Sequence, residues 1–169
     1  MKRVILVLAL TLGLAGTATA QQKVGHINVD ELLAVMPETS TAEAEIQKYA
    51  EQLEGDLAEM QQEYTTKLQN AQANQNTWTQ LRLQKEGEEL QAMEQRMMAF
   101  NQSAQQELQR KQMDLMLPII EKAQNAVNKV AEDNGFAYIL DASPSKAIVI
   151  YLDGGDDLMA LVKAELGIN

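Results

Sequence analysis

His26 is the only histidine in the chain and there is no cysteine. One imidazole, with no serine or carboxylate nearby at triad or ligand spacing, supports neither a nucleophilic device nor a metal centre. Its setting, Val24-Gly-His-Ile-Asn-Val29, reads as a plain strand position. The absence of cysteine excludes thiol chemistry and Cys-type zinc sites outright. Asp153-Gly-Gly-Asp-Asp157 resembles a calcium loop but lacks the alternating ligands and terminal Glu of an EF-hand. It reads as a turn with a helix cap. Gly154-Gly155 falls far short of a phosphate-binding loop. The many glutamates stand at helical spacing and read as a solvated face. No catalytic residue, cofactor or metal is expected, and an enzyme is disfavoured.

The remaining candidates are surfaces. From Tyr64 to Lys85 the chain has no acid, only Lys67, Arg82 and Lys85, whereas residues 38–63 carry eight acids and one lysine. Trp78, Leu81 and Leu83 sit inside that basic stretch. Two readings stand for it: a contact surface for apolar chains or lipid headgroups, and an ordinary helical end with solvated charges. Met93, Met97, Met98 and Phe100 also admit two readings. Flexible thioethers suit a surface that accepts many sequences, yet Met93, Met97 and Phe100 share the helical spacing of a packed seam. Met98 lies off that stripe and is the better candidate for a contact residue.

Long helices must position these groups. From Glu38 to about Asn134 the composition is Glu, Gln, Ala, Leu, Met and Lys, all good helix formers. Ile46, Tyr49, Leu53, Leu57, Met60, Tyr64, Leu68 and Ala71 step by three or four in an eleven-residue repeat, which favours a nearly straight supercoil. Leu90, Met93, Met97, Phe100, Ala104 and Leu108 form a second narrow stripe. Two such stripes predict an antiparallel coiled-coil hairpin. Thr77 with Gln80 makes a capping box, so the tip is expected near residues 73–77. Folding about position 75 sets Glu38 beside residue 112 or 113 and leaves Pro118 just past the base, as a kink. An arm of about 36 residues reaches about 54 Å.

The ends of the chain have a different texture. Lys2-Arg3, the apolar run Val4–Leu14 and Ala18-Thr-Ala20 read as a secretory leader cleaved after Ala20. The run is too short to span a bilayer. Export places the protein outside the cytoplasm, and removing the leader shifts the net charge from −10 to −12. That charge argues against nucleic-acid binding and against broad adhesion to anionic lipid. Val24–Val29 is expected to be a strand, followed by a helical turn capped by Asp30. Phe136–Leu140 and Ala147–Leu152 are expected to form a C-terminal strand hairpin, and Asp156 or Asp157 to cap a final helix lined by Leu158, Leu161, Val162 and Leu166. The predicted fold is α+β, mostly α. Its hairpin arm, residues 38–113, projects from a small β-body formed by residues 21–37 and 114–169. Three short strands hide little surface, so copies are expected to join through the apolar body positions: Val24, Ile27, Val29, Phe136, Tyr138, Leu140, Ile148, Ile150, Leu158 and Leu161.

The Val24-Gly-His-Ile-Asn-Val-Asp-Glu-Leu-Leu33 start resembles the Skp/OmpH family. So do the Met36-Pro-Glu38 helix entry, the Gln-rich hairpin, the Asn134-Gly-Phe-Ala-Tyr-Ile-Leu-Asp141 strand and the Gly155-Asp-Asp-Leu158 helix start. The resemblance covers essentially the whole chain after the leader. It implies a periplasmic homotrimer whose helical arms surround a cavity. It further implies ATP-independent holding of unfolded outer-membrane proteins. Better-known members are strongly basic whereas this chain is acidic, so lipopolysaccharide binding is not carried over. Membrane contact is expected to be at most transient, through the arm tips. The competing reading is a structural coiled-coil adaptor of the envelope with one fixed partner.

Overall fold

A computed structural model describes residues 22–168; the expected leader lies outside the described residues. The element order is β1 (Lys23–Ile27), α1 (Val29–Val35), α2 (Pro37–Asn74), α3 (Gln80–Asn134), β2 (Phe136–Asp141), β3 (Asp156–Asp157) and α4 (Met159–Leu166). Helices α2 and α3 form the arm. At 1.5 Å per residue, the 38 residues of α2 span about 57 Å. None of the helices in the described residues is long and apolar enough to cross a membrane.

Local chemistry explains the boundaries. Asn28 caps α1, its side chain accepting from the Glu31 N–H at 3.1 Å, in the place expected for Asp30. Pro37 opens α2, where its missing N–H costs nothing. Gly135 closes α3 in the left-handed conformation at φ 69°, with its N–H reaching back to Ala131 and Glu132. Pro118 lies inside α3 without ending it. Asp157 accepts from the Met159 N–H at 2.9 Å and so serves the first turn of α4, one residue before the cap position Leu158.

The hairpin turn lies further along than the sequence suggests. Asn74 ends α2 and its carbonyl accepts from the Thr77 and Trp78 N–H groups, while Thr79 caps α3 by accepting from the Arg82 N–H. Both threonines have a partner three residues on, but Thr77 spends its hydroxyl on the Asn74 carbonyl. The midpoints of Glu45–Lys111, Tyr49–Glu107 and Lys67–Glu89 all fall at position 78. Glu38 therefore lies beside Pro118 rather than residue 112 or 113, with its ion pair reaching one turn further to Lys122.

The sheet order is β2-β1-β3, with both neighbours parallel to the central β1. The expected C-terminal hairpin is absent. Ala147–Leu152 forms no strand in the described chain, and the two-residue β3 takes the edge instead. Asp141 accepts from the Ser143 N–H at 2.9 Å and the Ser143 hydroxyl at 2.5 Å, and Ser143 Oγ also accepts from the Asp30 N–H. This part-buried knot ties the chain after β2 to the start of α1. Burial raises the Asp141 carboxyl, but hydrogen bonds from the Ser143 hydroxyl, the Ser143 N–H and the Val29 N–H, together with the charge of Lys146, hold it below its ordinary value.

The core lies on the inner side of the sheet. Ile27, Leu32, Leu158 and Val162 pack with Ile119, Ala123, Ala126, Val127 and Val130 of α3 and with Ala42 at the arm base. Gly25 is buried in the central strand, where an added Cβ would collide with the Leu158 side chain and lie 3.0 Å from the Phe136 ring. Gly55 and Gly87 are different, since nothing stands within 4 Å of an added methyl in the middle of either arm helix. Gly55→Ala and Gly87→Ala should each stabilise the arm by up to about 1 kcal/mol. Hydrogen exchange should then slow in α2 and α3 but not in the sheet.

Candidate functional site

Every residue of the two predicted stripes lies half-buried or buried between α2 and α3. Met93, Met97 and Phe100 fill this seam, whereas Met98 points away from it and is 66% exposed. An open groove of about 280 Å³ runs along one flank of the seam beside Leu53, Leu57, Phe100, Ala104 and Leu108. A second, of about 380 Å³, opens at the arm base beside Thr41, Leu115 and Pro118.

Polar rungs flank the seam. The Tyr49 hydroxyl donates to Glu107 at 2.5 Å and the Tyr64 hydroxyl to Glu94 at 2.5 Å. Lys67 pairs with Glu89 and, at 3.2 Å, with Glu86; Lys111 pairs with Glu45 at 3.3 Å and Lys122 with Glu38. These contacts set opposite shifts. Hydrogen bonds from Lys122 and Lys67 hold the Glu38 and Glu89 carboxyls below their ordinary values, while the Glu107 and Glu94 bonds push the Tyr49 and Tyr64 phenols up. A lowered acid contributes stability above its unfolded value, which is lost as pH falls through the folded one. A raised phenol contributes below its unfolded value, and that is lost as pH rises. Arm stability should therefore be greatest between the ordinary carboxyl value of 4.5 and the ordinary phenol value of 10.0. Replacing Tyr49 and Tyr64 by Phe should weaken the alkaline decline and leave the acid one, as read by helical circular dichroism across pH.

The basic tip is less positive in space than along the chain. Antiparallel pairing brings Glu86 and Glu89 against Lys67, and Lys85 lies 3.7 Å from Glu89. Arg82 stacks on the Trp78 ring at 4.1 Å. Trp78 and Leu83 are half-buried, so Leu81, at 77% exposure, is the tip's one open large apolar group. The expected island of free cations is largely neutralised.

In the body the expected assembly residues divide into two sets. Ile27 and Leu158 are fully buried within one chain, and Val29 and Phe136 pack against the same core. Ile27 and Leu158 hold the fold itself together and are closed to a partner. Val24 pairs in register with Tyr138, and His26 with Leu140, so strand alternation sets these four on the outer face of the sheet. Val24, Tyr138 and Leu140 are exposed there. Beyond them, Ile148 and Ile150 on the unpaired segment are exposed, Ile150 at 96%, together with Tyr151 and Leu152, which the sequence reading did not single out. Leu161 is exposed on α4. His26 occupies a strand position, as its neighbours suggest. Asp156 pairs with Lys23 at 3.2 Å, and no cluster of possible metal ligands occurs among the described residues.

A long helical hairpin on a small parallel sheet defines a class of α+β protein whose arm is a helical hairpin. The chain belongs to the family of outer membrane proteins described as OmpH-like, whose profile matches residues 23–166. Among curated proteins it is similar to the chaperone protein Skp of Yersinia enterocolitica, 26% identical over 161 residues that cover 95% of this chain and 96% of Skp. The fold also matches a crystal structure from Caulobacter crescentus described as an outer membrane chaperone (OmpH-like). That match has a TM-score of 0.74 at 16% identity, covering 87% of this chain and 85% of the other. This membership sets the chain apart from enzymes.

Proposed function

We propose that the chain is an ATP-independent periplasmic holdase that keeps unfolded outer-membrane proteins from aggregating, in a cavity enclosed by the arms of several copies. The observation that carries this reading is a division of surfaces. The arm closes its own apolar seam and is polar outside along most of its length, as suits a cage wall that must stay in solution. The body leaves an apolar sheet face and a β-rich segment, Ala147–Leu152, without a partner in one chain.

Such a surface is a template for other copies. Among the described residues the outer edge of β2 is unpaired, and open edges with exposed apolar neighbours take up further strands. In an assembly of three copies, Ile148 and Ile150 would leave water by joining a neighbouring sheet. With the expected cleavage after Ala20, the exported part would include β1 (Lys23–Ile27) and the whole body. Skp, to which the chain is similar, is a chaperone by name, and the holding function is the one this geometry serves.

Light scattering of the mature protein, with an aggregation assay on several urea-denatured β-barrel proteins, tests the reading. A trimer mass and suppression of every client without nucleotide are expected. A monomer, or indifference to all clients, would overturn it in favour of an envelope adaptor.

A further inference from the structure

We infer that clients are gripped at the foot of the arm rather than at its tip, on an apolar ledge formed by Met113, Leu117 and Ile120. The inference rests on the holdase reading and names the contact surface it requires. The three residues recur at steps of four and three on α3, so they share one side of the helix, and all are exposed. Elsewhere on the arm the large exposed apolar groups, Leu81 and Met98, stand singly, as scattered surface residues commonly do. The ledge is the arm's only contiguous stretch of this kind among the described residues.

The ledge leads somewhere. Ile120 also lines a body pocket of about 240 Å³, whose apolar wall includes Leu33, Val127 and Ile139 and whose polar side carries Asp30, Asp141 and Lys146. A cavity of that size receives one large aliphatic or aromatic side chain. The occupant that fits is an extended apolar polypeptide segment, with one bulky side chain in the pocket and its neighbours along the ledge. A second copy of this chain fits poorly. Three partly exposed side chains offer far less than the ~800 Å² that each partner contributes to a stable interface. The apolar face suited to self-association, with Val24, Tyr138 and Leu140, is on the side of the sheet turned away from α3. Assembly through that face would leave the ledge open to the cavity.

The mature full-length protein carrying a photo-crosslinking amino acid at position 117, and separately at 81, is mixed with a urea-denatured β-barrel protein diluted into buffer. Adducts with the barrel protein at 117, at least several-fold above those at 81, are expected. In parallel, Met113→Gln, Leu117→Gln and Ile120→Gln combined should weaken aggregation suppression about tenfold or more at unchanged oligomer mass. Adducts at 117 only between copies of the chain would overturn the ledge in favour of self-association. Equal suppression by the triple variant would overturn it while leaving the holdase reading intact. If the unmodified protein suppresses nothing, the holdase reading and the ledge fall together. The crosslinking comparison decides the matter should the triple variant fail to fold.

Discussion

Placing glutamates at Tyr138 and Leu140 should convert the mature protein into monomers at micromolar concentration. Both side chains lie on the outer face of the sheet, paired with Val24 and His26 on the central strand. Neither contributes to the buried core, so the fold of a single chain has little reason to fail. In an assembly built on this face, each copy would bury two carboxylates without partners. The penalty for each such ion is several kcal/mol even after relaxation. Repetition around a symmetry axis would add like-charge repulsion. Light scattering should report the loss of mass, while helical circular dichroism stays at the level of the parent protein. Parental mass in this variant would mean that copies meet elsewhere, and Leu161 on α4 would be the next surface to probe.

The second large effect is expected inside one chain. Gly25→Val should unfold the body and spare the arm. A Cβ at this position would run into Leu158, which is fully buried, and into the Phe136 ring; the Asp156 carbonyl lies 3.2 Å away on the third side. Neither strand can withdraw without breaking the ladder that β1 makes with both neighbours. Overpacking of this kind costs about 1–3 kcal/mol, and the two extra methyls of valine leave no direction for relief. Hydrogen exchange read across denaturant separately in β1, β2 and the middle of α2 should show an early opening of the sheet, distinct from the later loss of helix. A single unshifted transition would mean that the sheet opens at this point without cost.

The sequence was most legible where a repeat dictates burial. The apolar stripes of the arm needed only the helical period, and each of their members lies in the seam. The turn was harder, since Thr77 and Thr79 both stand three residues before a plausible partner. Their difference emerges only when Asn74 engages the Thr77 hydroxyl. A three-residue error there moved the whole register of the arm. The charge of the tip misled for a related reason. Glu86 and Glu89 lie just past the acid-free stretch, and the return of the second helix brings them onto Lys67. Ala147–Leu152 has strand-forming residues but no strand, because pairing depends on a neighbour and not on propensity alone. The ledge at Met113, Leu117 and Ile120 also escaped notice. It lies on the flank of α3 rather than on its packed side, and only exposure in three dimensions distinguishes it from core.

The parallel ladder has a consequence for how the molecule is made. Residues 23–27 must wait for residues 136–141 before their first bridge can form, and for residues 156–157 before the second. A chain emerging from a translocation pore amino end first would expose β1 long before either partner arrived. The two arm helices, whose contacts close around a short turn, can zip during that interval and bring the distant ends together, reducing the loop-closure entropy of the sheet. The arm is thus its own folding scaffold, and the body is completed only once residues 156–157 have followed.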